Sequence, residues 1–308
     1  MTVADVDAAA ARIQGPVWRT PLVHSPWLSD ATGADVWLKL ELVQTTGSFK
    51  LRGGLNAVAR LVEREPGQLL VVTASAGNHG LALAWAARHH GLRARVHLPV
   101  GAPAAKRDAL GRLGAELVDA PTYEAAEAQG HADAAAAGAP YISPYNDPDV
   151  IAGAATIARE MLSDKPDLQA IVAPVGGGGL LAGTAIVATG ANPGAARERV
   201  LIMGAEAEAS PVFTAALAAG RIVTVDVKPT LADGLAGNME SQSQTFAIVR
   251  DLADRVVLVA ESSIQVAMRG LFAHKRLIVE GASATAVGAL LQGGLDLAGR
   301  RVDRKSVV

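Results

Sequence analysis

The 308-residue chain contains no cysteine. That absence removes disulfide frameworks, thiolate zinc sites, iron–sulfur clusters and thiol nucleophiles, and it fits a reducing compartment. An excess of either charge is missing as well: 28 Lys+Arg stand against 30 Asp+Glu, a formal net charge of −2, with the basic residues scattered. Without a basic footprint, neither nucleic acid nor an anionic membrane is an expected partner. The N-terminus carries Asp5 and Asp7 where a secretory signal would carry positive charge, so a cytoplasmic protein is expected. Residues 168–196 are free of charge, but Pro174, four successive glycines, Gly190 and Pro193 interrupt them. They read as a buried strand, a tight loop and a helix instead of a membrane span.

What is present points to a globular α/β protein. Half of the residues are hydrophobic, and the length is that of about two domains at roughly 150 residues each. Short β-rich runs alternate with longer helical ones. Strands are expected at Val36 to Leu40, Leu69 to Thr73, Ala94 to Leu98, Glu116 to Val118, Tyr141 to Ile142, Ala170 to Ala173, Val200 to Met203 and Val256 to Val259. Helices are expected from Lys50 to about Glu65, from Leu81 to a close at Gly91, and over the alanine-rich residues 125–137. Such an alternation predicts mainly parallel sheets with helices on both faces, and ligands at the carboxyl ends of the strands.

Four stretches stand out chemically. The first, residues 45–54, passes from a loop into a helix and contains Phe49 and Lys50; a lysine there is ordinarily a solvated helix residue. The second, Ser75, Ala76, Gly77, Asn78 and His79, lies between an apolar strand and a helix, where unpaired N–H groups can take an anion and where Asn78 could equally be a simple cap. The third is Gly176, Gly177, Gly178 and Gly179, followed by Leu180. Four glycines are entropically costly, so the turn is suited to wrapping a phosphate or to close helix–strand packing. It also satisfies a relaxed dinucleotide fingerprint, with Glu206 ending the next strand, but no Gly-Lys-Ser/Thr follows as in a triphosphate loop. The fourth comprises residues 230–236, with Gly234, and residues 279–283, with Glu280.

Taken in order, these stretches resemble the fold-type II pyridoxal-phosphate enzymes of the serine/threonine dehydratase family, the tryptophan synthase β-like group that includes serine racemase. The resemblance runs nearly the whole chain and includes Thr20-Pro21-Leu22, Lys39-Leu40-Glu41, Ser48-Phe49-Lys50-Leu51-Arg52-Gly53, the Ser75 to His79 loop, Asp147-Pro148 through Gly153, the glycine run, Ala232-Asp233-Gly234 and Glu280-Gly281-Ala282. It implies an α/β fold with two mainly parallel open sheets. A large domain would comprise residues 1–68 and 146–308, and a small mobile domain residues 69–145, with the cofactor between them.

It implies pyridoxal 5′-phosphate held by Lys50 as a Schiff base, with Phe49 beside the ring and Asn78 bonded to its hydroxyl. Gly176 to Gly179 with Leu180 would cradle the phosphate, and Gly234 and Glu280 would complete the cofactor site. Ser75, Ala76, Gly77, Asn78 and His79 would hold the substrate carboxylate.

The implied reaction is dehydration and deamination of L-threonine or L-serine, with Lys50 taking the Cα proton, in a homodimer. Racemases and the dehydratases of hydroxyaspartate or hydroxyectoine breakdown are alternatives in the same fold. A dinucleotide-dependent oxidoreductase and a catalytically silent vitamin-binding protein are alternatives outside that chemistry. Some relatives read Ala-Gly-Gln-Gly-Thr where this chain has Ala152-Gly153-Ala154-Ala155-Thr156, and Gln where it has Leu81. Val212 stands at the place of a second carboxylate that some relatives offer to a divalent ion beside Glu206, so no metal is assigned. The family's last strand leads to a Ser-Gly-Gly-Asn-like turn against the pyridine nitrogen, and this sequence ends at Val308 before such a turn. Its length leaves no room for the regulatory domain of the biosynthetic members, so isoleucine feedback through one is not expected.

Overall fold

The computed structural model describes residues 1–190, 199–293, 295 and the backbone of 301–306. These residues pack as two units. The first comprises Met1–Ala4, Arg19–Val43 and the described part of Ala155–Val308; the second comprises Asp5–Trp18 and Gln44–Ala154.

The first unit is built on a six-stranded sheet. Its strands are β1 (Leu22–His24), β2 (Asp35–Leu40), β6 (Ala170–Val175), β7 (Leu201–Ala207), β8 (Arg255–Val259) and β9 (Arg301–Ser306), in the order β1-β2-β9-β6-β7-β8. Pairing is parallel except between β1 and β2, where Leu22 faces Lys39. Every residue of β6 is buried, as a parallel strand covered on both faces must be. The core gathers Val36, Leu38, Val172, Met203, Val259 and the helix Gly281–Leu291. Lys39 is buried on β2, where its ammonium donates to the Thr20 carbonyl at 2.7 Å and to Glu160 at 2.6 Å. Thr20 in turn donates to the buried Glu41 at 2.5 Å. The Thr20-Pro21-Leu22 and Lys39-Leu40-Glu41 motifs are therefore joined in one buried polar network.

The second unit carries a parallel three-stranded sheet of β3 (Leu70–Ala74), β4 (Arg93–Pro99) and β5 (Glu116–Ala120). Its core joins Leu51, Leu55, Val58 and Leu61 of the helix Lys50–Arg64 to Leu83, Val96, Leu98 and Leu110. That shared core is why the contacts divide the chain near residues 43 and 154, whereas the sequence suggested 68 and 146. Helix Lys50–Arg64 buries its apolar face against the middle segment.

Nearly all expected strands and helices form within a few residues of their expected bounds. Tyr141 and Ile142 differ: Tyr141 makes only an isolated bridge to Val72, and the chain continues into a turn instead of a strand. β1 was not expected, and β9 stands where the resemblance implied a last strand. Val307 and Val308, with residues 191–198, lie outside the described residues, as does the end of the charge-free stretch. Among the described residues, no helix is long and apolar enough to cross a membrane.

Two helices meet at glycine. A Cβ on Gly153 would lie 2.3 Å from the Arg52 carbonyl oxygen, and one on Gly53 would lie 2.7 Å from that of Val150. The helices Lys50–Arg64 and Pro148–Asp164 thus touch backbone to backbone, one turn from Lys50. Neither obstacle is a flexible side chain, so the helices must move apart to admit a methyl group. Gly153→Ala is expected to cost about 3 kcal/mol, the upper end for overpacking, read by urea unfolding. A loss within experimental error of zero would show that the crossing is loose.

Candidate active site

In the second unit, Lys50 opens its helix directly after Phe49, and its amine lies 5.2 Å from the centre of the Phe49 ring. The amine donates to the Pro144 carbonyl at 2.8 Å. Burial lowers its pKa from the usual lysine range to about 8, because desolvation penalises the ammonium. About a fifth of an amine of that pKa is neutral, and so nucleophilic, near physiological pH, against about a thousandth of an ordinary lysine.

The loop after β3 lies in the same unit. Gly77, not Asn78, takes the cap position, and Asn78 is the first residue of the helix Asn78–His89. The Ser75 hydroxyl accepts the Gly77 N–H at 3.2 Å, closing a local turn. His79 is buried, with Nε2 3.1 Å from the Ile142 carbonyl oxygen. Since a carbonyl only accepts, Nε2 carries the proton, and Nδ1 is a buried acceptor with no partner. Burial, then the Lys50 charge, hold its pKa down to about 3 against that hydrogen bond, so the ring is neutral at working pH. The structure thus places Lys50 and His79 within electrostatic reach of each other, both tied to carbonyls of the 142–144 segment. Thr46 and Ser48, just upstream of Lys50, have buried hydroxyls without partners.

In the first unit, residues 176–178 form the turn between β6 and the helix Gly179–Gly190, which buries Leu180 in its first turn. The turn's backbone is closely packed. A Cβ on Gly176 would lie 2.9 Å from the Leu235 Cα, one on Gly234 3.3 Å from the Ala282 Cβ, and one on Gly281 2.0 Å from the Leu231 carbonyl oxygen. The glycine turn, the turn Asp233–Leu235 and the helix start that follows Glu280 therefore converge on one another. The hydroxyl of Ser283, in that first helical turn, is buried without a partner. The first N–H groups of a helix have no intrahelical acceptor and carry positive dipole, so this turn fits a phosphate. The Lys50 amine likewise fits an aldehyde partner.

The sequence matches the pyridoxal-phosphate dependent enzyme family over residues 13–308. The chain belongs to that family. It is 38% identical over 303 residues to an L-threonine ammonia-lyase of Thermotoga maritima, across 98% of this chain and 74% of that protein. A pyridoxal 5′-phosphate-dependent aspartate racemase superposes with a TM-score of 0.91 at 32% identity, covering 100% of this chain and 95% of that one. Serine racemase from Dictyostelium discoideum superposes at 0.88 and 32%, covering 100% and 97%. The protein is a fold-type II, pyridoxal-phosphate-dependent enzyme, and the paired sheets are that fold.

Glu206 does not serve as the ribose-binding acid of the dinucleotide alternative. It is fully buried, its Oε1 accepting the Phe213 N–H at 2.6 Å and its Oε2 accepting the Thr214 N–H at 2.9 Å and hydroxyl at 2.7 Å. The carboxylate caps the helix Val212–Ala219. Burial raises its pKa, opposed by these bonds.

Sequence reasoning passed over Thr73, whose hydroxyl donates to the Ile142 carbonyl at 2.8 Å, and the Pro144 carbonyl. A backbone oxygen has no side-chain signature from which to find it.

Gly178 is required by more than a phosphate. Its φ is +87°, and a Cβ would lie 2.4 Å from Phe213 Cζ. Packing therefore requires a glycine at 178 whether or not a phosphate is bound. Gly178→Ala should cost the cofactor-free protein about 1–3 kcal/mol from backbone strain, before any effect of the Phe213 contact. Gly177 is not in the left-handed region, so Gly177→Ala should weaken cofactor affinity with little loss in the same unfolding experiment. Equal stability loss in both variants would make the whole turn a packing device.

Proposed function

We propose that the protein is an ammonia-lyase that converts L-threonine or L-serine to the 2-keto acid and ammonia. The observation that carries this reading is Ala76, directly before Gly77-Asn78-His79. In serine racemases that position is a serine, which serves as the proton-carrying group on the cofactor face opposite the lysine. A methyl group has no proton to exchange. The neighbouring Ser75 hydroxyl is one position away and is held by the Gly77 N–H that it accepts in its own turn. Lys50 is then the base, acting on one face, and the L-isomer alone is consumed. The similarity to an L-threonine ammonia-lyase supports the same reading. Amino-acid racemisation remains the alternative because two racemases share the fold at 32% identity.

In this reading Lys50 holds the cofactor covalently, with Phe49 beside it and Asn78 bonded to it. Gly176, Gly177, Gly178, Gly179 and Leu180 hold its phosphate, while Gly234 and Glu280 line the same site. Bound pyridoxal phosphate supplies an electron sink for charge developing at the substrate Cα. The N–H groups at the start of the helix Asn78–His89 receive the substrate carboxylate, where the helix dipole favours an anion. The Lys50 amine, released from the cofactor, takes the Cα proton; its lowered pKa keeps enough of it neutral to act as a base. Loss of the β-hydroxyl as water leaves an enamine that tautomerises to the imine; one water then adds at the imine carbon and ammonia leaves, giving the 2-keto acid.

Lys50→Ala should abolish turnover and remove the borohydride-fixed pyridoxyl label from the protein; a label retained at another lysine sinks the assignment. The substrate experiment is a panel of L- and D-serine, both threonine diastereomers and hydroxyaspartates, with keto acid and enantiomer composition followed. Keto acid from the L-substrates with no D-serine formed is expected. D-serine appearing from L-serine as fast as pyruvate would overturn the lyase reading. Ala76→Ser should raise the ratio of racemisation to elimination; an unchanged ratio would mean that the stereochemistry is decided elsewhere.

A further inference from the structure

A lysine that both binds a cofactor and acts as a base needs somewhere to go when it is not bonded. Its partner in that state decides whether it can work. A carboxylate beside a free amine would favour the ammonium and disable the base. Lys50 instead meets a neutral oxygen, the Pro144 carbonyl at 2.8 Å. His79, a titratable group that interacts with it electrostatically, is uncharged.

The Pro144 carbonyl is set in place by an unusual concentration of bonds two residues upstream. The Ile142 carbonyl accepts both the Thr73 hydroxyl at 2.8 Å and His79 Nε2 at 3.1 Å, while the Ile142 N–H donates to the Val72 carbonyl at 2.8 Å. Downstream, the Ser143 hydroxyl accepts the Asn146 N–H at 3.1 Å, closing the turn that presents residue 144. Thr73 and His79 are themselves fully or almost fully buried, and they come from the end of β3 and the start of the following helix. A segment with no regular secondary structure is thereby anchored to the buried end of a strand and the first turn of a helix.

We propose that the Pro144 carbonyl is the resting partner of the Lys50 amine whenever that amine is not bonded to the cofactor, and that Thr73 and His79 are positioning residues that hold the carbonyl there through Ile142. The inference rests on Lys50 being the cofactor's anchor. It gives His79 a task beyond the carboxylate loop: its Nε2–H braces the ledge, and, being neutral, the ring adds no charge beside the amine, whose pKa is lowered by desolvation alone. The enclosure of the ledge also keeps water from the amine, the physical origin of its lowered pKa.

The full-length protein and its Thr73→Val, Thr73→Ser, His79→Leu and His79→Gln variants are freed of cofactor and mixed with pyridoxal phosphate between pH 6.5 and 10. Capture is stopped with borohydride, and the label on Lys50 is quantified by mass spectrometry. The wild-type rate should rise with pH through a midpoint near 8, as the neutral amine is the reactive form. Thr73→Val and His79→Leu admit water to a loosened ledge. Their midpoints should move upward and their capture at pH 7.5 should slow several-fold, while Thr73→Ser and His79→Gln, which keep a donor, should stay close to wild type.

Unchanged midpoints in folded Val and Leu variants would overturn the ledge while leaving Lys50 as the anchor. Absence of any Lys50 label in the wild type would overturn the anchor, and the ledge with it. Should the Val and Leu variants not fold, a crystal structure of the full-length cofactor-free protein decides. The Lys50 amine within hydrogen-bond reach of the Pro144 carbonyl supports the proposal, and an amine turned to another partner overturns it.

Discussion

The backbone contact between the helices Lys50–Arg64 and Pro148–Asp164 is the constraint on which the reactive lysine depends. At Gly53 and Gly153 the helices approach so closely that any side chain would strike a carbonyl. Close approach fixes the first turn of the lysine helix against the helix that follows the 142–144 segment. The Asn56 amide, one turn on, donates to the Asp149 carbonyl at 2.7 Å, and the Asp147 carboxylate accepts the N–H groups of Asp149 and Val150. Those bonds tie the start of the second helix to the same place. Lys50 and its carbonyl partner are therefore set at opposite ends of one rigid construction, and the 2.8 Å separation between them is a product of helix packing.

Burial then does the chemical tuning. Lys50 has no adjacent cation or anion that accounts for its lowered pKa; the loss of solvent does. His79 is pushed the same way and further, because it adds the Lys50 charge to a deeper burial. Desolvation disfavours the charged form of both groups, and the charge that Lys50 still carries part of the time keeps His79 neutral beside it. Glu206 shows the same desolvation acting on an acid, with its cost offset by three donated hydrogen bonds at a helix start. At Lys50, His79 and Glu206 ionisation follows enclosure and hydrogen bonding, whereas at the surface it follows ion pairs such as Arg95 with Glu116 and Asp133.

Much of this was legible from residue order. Apolar runs bounded by glycine and proline placed the buried parallel strands, because a strand covered on both faces must be apolar throughout. β1 escaped because three residues at an edge carry no periodicity. β9 was implied by the resemblance alone, because its Arg301, Asp303, Arg304 and Lys305 have the composition of a surface strand, yet its backbone pairs with both β2 and β6. Tyr141 and Ile142 looked like a strand because the pair is apolar and β-prone. Their backbone does join β3 at Val72, but the bonds from Thr73 and His79 to Ile142 take the chain into a turn. The motif singled out Lys50, while the oxygen that accepts from its amine was not legible, since a main-chain acceptor is invisible until the chain is folded.

The motif glycines deserve a different account from the one phosphate binding alone suggests. Gly178 is demanded by its left-handed backbone and by the Phe213 ring, Gly176 by the backbone of Leu235, and Gly281 by the carbonyl of Leu231. Each removes a side chain so that another piece of main chain can come near, and the pieces so gathered are the N-terminal ends of helices and the turn between them. Unpaired N–H groups collected in this way form an anion site without any cationic side chain. Packing and binding are thus one requirement at this turn: the glycines allow the backbone to crowd, and the crowded backbone supplies the donors. The same reasoning separates two kinds of tuning, since the glycine turn is made by main chain brought together, whereas the lowered pKa of the half-buried Lys50 amine comes from its loss of solvent.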